Sequence, residues 1–104
     1  MNYREEVLRT AASHKDPLSL GALGLAGETG EVVDLIKKHI HHGVKLDRAK
    51  LINELGDVRW YFELLCHSIG VSMEEVEAGN VTKLRKRYPD GFSTEASIQR
   101  KDQA

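Results

Sequence analysis

The chain has 104 residues, 40% of them hydrophobic and only 6% aromatic, which is room for one small domain with a thin core and points to completion by a partner subunit. Fifteen basic residues against sixteen acidic ones leave a net charge of −1, a balance that speaks against a general nucleic-acid binder. A single cysteine, Cys66, excludes an internal disulfide and a paired-cysteine metal site.

No apolar run reaches the length of a membrane span. The start "MNYREEVLRTA" lacks the apolar stretch of a signal peptide. The expectation is a soluble, cytoplasmic protein, with Cys66 as a small buried residue within "YFELLCHSIG".

Helical spacing runs through the chain, and no segment alternates as a strand would. The first predicted helix covers residues 2–13 and breaks at "SHKDP", where Pro17 can open the next helix in its first turn. The second covers 18–42, with Leu25, Val32, Ile36 and Ile40 on one stripe. Gly43 follows and can take the left-handed conformation that closes a helix. Lys37, Lys38 and three histidines sit near that end, where positive charge favours the helix dipole.

The third predicted helix starts at the N-cap Asp47. Leu51, Leu55, Val58, Phe62, Leu65 and Ile69 follow at spacings of four and three, a packed seam, and Gly70 ends it. Ser72 caps a fourth helix, and Glu75 completes a capping box. That helix reaches Arg87 and stops at Pro89. The connection "GVKL" is short, so the two central helices are antiparallel neighbours. The fold class is therefore all-α: a small antiparallel bundle of about four helices within residues 1–92, completed by oligomerisation. The tail, 93–104, has little periodicity and reads as an arm on a neighbouring subunit or as partly disordered.

The stretch "GALGLAGETGE", residues 21–31, places a glycine at every third position. A phosphate loop needs a preceding strand and a closing Gly-Lys-Ser/Thr, and a dinucleotide fingerprint also needs a strand. Neither is present, so the glycines lie inside a helix. Each costs about 0.5–1 kcal/mol there relative to alanine. Close packing against another helix is one reason for them. Open space around two acids, Glu28 and Glu31, is the other.

Glu28 and Glu31 share one face of the second helix, and Glu54 and Asp57, in "NELGDVRW", share one face of the third. Both pairs flank an apolar stripe. Four carboxylates converging at the edge of a core repel one another unless cations compensate. Oxygen-only ligands favour hard ions such as Mg²⁺ or Mn²⁺, which take further ligands from phosphates. The competing reading is four solvated surface acids paired with lysines.

These residues are similar to a known family. "GLAGETGEVVDLIKK", "NELGDVRWYFELL" and "NVTKLRKRYPDGFS" resemble the MazG-like nucleoside triphosphate pyrophosphohydrolases, relatives of the dimeric dUTPases. The likeness runs from residue 9 to residue 100. It implies a metal-ligand and catalytic set of Glu28, Glu31, Glu54 and Asp57. Gly27 stands where many members carry an extra glutamate, and the dUTPase branch manages without it. The resemblance also implies nucleotide contacts from Asn80 and Lys83, with Arg87 and Tyr88 as weaker candidates, and a homodimer or homotetramer whose sites combine helices of two chains. The implied reaction is Mg²⁺-dependent cleavage of a nucleoside triphosphate to monophosphate and pyrophosphate, with Mn²⁺ able to substitute. The implied role is house-cleaning of the deoxynucleotide pool.

Glu31 or Glu54 is the candidate for orienting or deprotonating the attacking water. Lys83 would neutralise charge on the phosphates, and Asn80 would hydrogen-bond sugar or base. Trp60 and Tyr61, one turn past Asp57, either border a nucleobase or pack between helices. Lys37 and Lys38 read as solvated dipole partners rather than phosphate ligands. In "HIHHG" no third soft ligand stands near His39 and His42, which disfavours zinc. The alternative to catalysis is a nucleotide- or nucleic-acid-binding helical oligomer that uses Lys83, Arg85, Lys86 and Arg87.

Overall fold

The structure, a computed structural model, describes residues 1–11 and 15–100. It is all-α, with α1 (Tyr3–Ala11), α2 (Pro17–His41), α3 (Arg48–Ser68), α4 (Met73–Arg87) and α5 (Thr94–Gln99). The end of the first predicted helix, past Ala11, lies outside the described residues. No described helix is long and apolar enough to cross a membrane.

Local chemistry sets the helix ends. The Asp16 carboxylate accepts from the Ser19 backbone N–H at 3.0 Å, and Pro17 occupies the first turn. Gly43 adopts φ +68°, and Nδ1 of His39 donates to the Val44 carbonyl at 2.9 Å, closing α2. Asp47 caps α3 through the Lys50 N–H at 3.0 Å, Gly70 turns the chain at φ +75°, and Ser72 caps α4 through the Glu75 N–H at 3.1 Å.

The chain divides into two units, Met1–Gly70 and Val71–Ala104. In the first, α2 and α3 run side by side in a register fixed by glycine. A Cβ on Gly21 would come within 3.1 Å of the Leu65 backbone, and one on Gly24 would strike the Tyr61 ring. "GALGLAGETGE" is thus continuous helix, and its first two glycines are explained by close packing.

Val7, Ala11 and Leu64 form the core of this unit, with Leu20 and Trp60 packed on it. Cys66 is buried, and burial pushes its thiol pKa up. Glu63 is buried too, at 4% exposure. Arg4 donates to its Oε2 from Nε at 3.0 Å and Nη2 at 2.8 Å, and Arg59 Nη2 donates to its Oε1 at 3.1 Å. Arg59 also lies 4.6 Å from the centre of the Tyr3 ring. The Trp60 indole donates to Thr10 Oγ1 at 2.8 Å. These links hold α1 on α3.

The seam expected along α3 is only partly covered. Leu55 is 49% exposed and Ile69 62%, because the fully buried side of α3 runs through Glu63, Leu64 and Cys66. On α2, Ile40 is exposed as well.

In the second unit, α4 ends in three basic residues, Arg85, Lys86 and Arg87, and Tyr88 caps it. The tail, expected as an arm on a neighbouring subunit or as partly disordered, carries local helical structure. Ser93 accepts from the Ala96 N–H at 3.0 Å, Glu95 sits in the first turn, and a short fifth helix forms between Ser93 and Arg100.

Candidate active site

The α2–α3 register builds the site. Gly24 faces Tyr61. One turn on along α2 is Glu28, and one turn back along α3 is Asp57. These are the same facing positions continued towards the other end of the helix pair. Glu54, a turn earlier still on α3, joins them. One carboxylate oxygen from each of Glu28, Glu54 and Asp57 lies within 4.8 Å of the others. Glu28 and Glu54 are half-buried, and Asp57 is exposed.

The electrostatics are those of uncompensated acids. Partial burial pushes the Glu28 carboxyl pKa up. The charges of Asp57 and Glu54 push it further, as do a hydrogen bond with Glu54 and the charge of Glu31. Among the described residues no ion pair of 4 Å or less reaches the three carboxylates. The set fits a hard divalent cation. Ligand oxygens at about 2.1–2.5 Å from an ion stand up to roughly 4–5 Å apart across it, which is the spacing observed.

Glu31, the fourth expected carboxylate, is exposed and outside the trio. Its charge is felt by Glu28 and by Lys38. Lys37 and Lys38 pair with Asp34 at 3.2 and 2.8 Å. Hydrogen bonds from Lys38 and Lys37 hold the Asp34 carboxyl below the usual range. Asp34 stands three and four residues before the two lysines, the spacing at which a helix pairs opposite charges.

Beside the trio is a cleft of about 250 Å³ lined by Glu28, Asp57, Trp60 and Tyr61. The two aromatic rings meet edge-on, centroids 4.9 Å apart at 79°. Trp60 packs on the core, and both rings line the cleft. Thr10, which fixes its indole, carried no sequence signal, because its partner is 50 residues away.

The remaining candidates belong to the second unit. Asn80 and Lys83 are exposed on α4, and Arg87 and Tyr88 are half-buried. Within that unit Arg87 lines a cavity of about 430 Å³ with Asp90, Phe92 and Gln99. A hydrogen bond with Ser97 is the main influence holding the Tyr88 hydroxyl below its ordinary pKa.

Carboxylates gathered from two antiparallel helices, on an all-α scaffold with an adjoining aromatic cleft, make an acidic site that could hold a metal ion. The model of the MazG nucleotide pyrophosphohydrolase domain matches residues 17–92. "Gene 37 protein" of Mycobacterium phage L5 is 37% identical over 78 residues, 71% of this chain and 68% of that protein. No solved structure matches the chain. The chain belongs to the MazG nucleotide pyrophosphohydrolase family. Membership supports nucleoside triphosphate pyrophosphohydrolase activity in general, in a family that generally depends on divalent metal.

Proposed function

We propose that this protein hydrolyses deoxynucleoside triphosphates to the monophosphate and pyrophosphate with Mg²⁺, as house-cleaning of the nucleotide pool. The observation that carries the reading is the convergence of Glu28, Glu54 and Asp57 within 4.8 Å beside an aromatic-lined cleft, in a chain of this family. Preference for deoxynucleotides follows the likeness to dimeric dUTPases and is a family analogy.

Glu28, Glu54 and Asp57 would hold the ion, with Glu31 as the further ligand that the family likeness implies. When bound, the ion supplies neutralisation of the phosphate chain and acidification of a water. Glu54 or Glu31 would orient the attacking water and accept its proton. Trp60 and Tyr61 border the base, whose flat apolar faces suit aromatic walls. The family likeness assigns neutralisation of phosphate charge to Lys83 and a hydrogen bond to sugar or base to Asn80, with Arg87 and Tyr88 as weaker candidates. A homodimer or homotetramer completes the fold. Exposed Leu23, Val33, Ile40, Ile52, Leu55 and Ile69 support this, because a stable monomer rarely leaves so much apolar surface in water.

The test is product analysis. The protein is incubated with Mg²⁺ and each common and modified nucleoside triphosphate, and the products are separated by ion exchange. Monophosphate with pyrophosphate, abolished by EDTA and by Glu54→Gln, is the expected result. Diphosphate with phosphate, or turnover that survives Glu54→Gln, would overturn the reading. Nucleotide binding with no cleavage would favour the non-catalytic alternative.

A further inference from the structure

We propose that Gly24 is a positioning residue for the nucleotide cleft: lacking a Cβ, it lets the Tyr61 ring lie against α2, and this keeps open the cleft that seats the nucleoside end of the substrate. The proposal rests on the reading of the site as a triphosphate site and adds to it a determinant of substrate fit.

The glycines of "GALGLAGETGE" are not equivalent. A Cβ on Gly27 or Gly30 would meet nothing within 4 Å, and one on Gly21 would meet the Leu65 backbone. At Gly24 the obstacle is the Tyr61 ring itself, at Cδ1, Cε1 and Cζ. Gly24 is one turn before Glu28, and Tyr61 is one turn after Asp57, so their contact adjoins the carboxylates. Tyr61 and those two acids line the same cleft.

The ring has little freedom on its other flank. Trp60 meets it edge-on at 4.9 Å, and the indole is tied to Thr10 at 2.8 Å. A methyl group at position 24 therefore drives the ring towards the open side, the cleft. The carboxylates, a turn away on their own backbone positions, are left as they are. Gly24 thus acts on nucleotide fit and not on the ion, and bulkier purine nucleotides are affected more than pyrimidine ones.

Calorimetric titration with non-hydrolysable α,β-imido deoxynucleotides in Mn²⁺, and with Mn²⁺ alone, tests this. Gly24→Ala weakens nucleotide binding about tenfold, a size expected of a cleft wall displaced by roughly an ångström, and leaves Mn²⁺ binding within about twofold. In a Tyr61→Ala background, adding Gly24→Ala has no further effect, which is the coupling expected of two residues in contact. Equal nucleotide binding by wild type and Gly24→Ala overturns the proposal, as does an equal loss in the Tyr61→Ala background. If Gly24→Ala alone does not fold, the Gly24→Ala/Tyr61→Ala pair decides. A pair that folds and binds like Tyr61→Ala supports the proposal, and a pair that stays unfolded refutes it. Wild type that binds Mn²⁺ but no nucleotide refutes the functional reading and this inference with it.

Discussion

Two groups of acids on α3 have opposite surroundings. Glu63 is buried and gripped by Arg4 and Arg59. Burial pushes its carboxyl pKa up, but the hydrogen bonds and charges of the two arginines prevail and hold it below the usual range. Glu54 and Asp57, on the preceding turns, meet Glu28, and the Glu28 carboxyl is driven up. The first group is neutralised within the chain and ties α1 to α3. The second has no ion-pair partner among the described residues and could hold a cation. Burial alone would have ranked Glu63 as the functional acid. The source of the compensating charge separates the structural acid from the candidate site.

The largest effect expected from this contrast is on turnover. Asp57→Asn or Glu54→Gln lowers kcat by roughly 10²–10⁴-fold, while chemical denaturation finds the metal-free variants at least as stable as wild type. Glu63→Ala does the reverse. It strands two arginines and lowers stability by about 3 kcal/mol, the low end for a broken buried pair because both arginines keep some solvent. Equal losses of stability at both sites would break the comparison.

The pH dependences also oppose one another. Glu63 has a lowered pKa, so its contribution is complete above the ordinary value of 4.5 and is lost as pH falls through the lower folded value. Glu28 has a raised pKa, so its ionisation penalises the metal-free fold as pH rises from 4.5 through the raised value. Urea titrations across this range should show Glu63→Gln flattening the acid limb, and Glu28→Gln flattening the loss on the other side.

The smallest effect concerns the open glycines. A Cβ at Gly27 or Gly30 meets nothing within 4 Å among the described residues, so Gly27→Ala and Gly30→Ala each raise chain stability by about 0.5–1 kcal/mol. Nucleotide affinity measured alongside shows whether that open space serves the ligand.

The parts legible in the sequence rest on local chemistry. Asp47 and Ser72 cap helices as residues of their type do, Gly43 and Gly70 turn the chain at positive φ, and three-residue spacing put each carboxylate pair on one face. What stayed hidden depends on distance. Arg4 and Glu63 are 59 residues apart, and nothing in either neighbourhood announces the other. The Tyr61 ring over Gly24 needed the helix register. Glu31 shares a face with Glu28, but the crossing of two helices brings only certain turns together, and the trio draws one acid from α2. The pattern Leu55 to Ile69 marks a surface to be covered without saying what covers it. The fifth helix escaped because six residues are too few to show a period, although Ser93 was the signal at its cap.

The most direct test of the central claim is thermal unfolding with and without Mg²⁺ or Mn²⁺, in wild type and in Asp57→Asn. The expected result is that the ion raises the wild-type Tm, as a ligand of the folded state must, and leaves the variant's Tm unmoved. An equal rise in both proteins would contradict it and place the cation somewhere other than Glu28, Glu54 and Asp57.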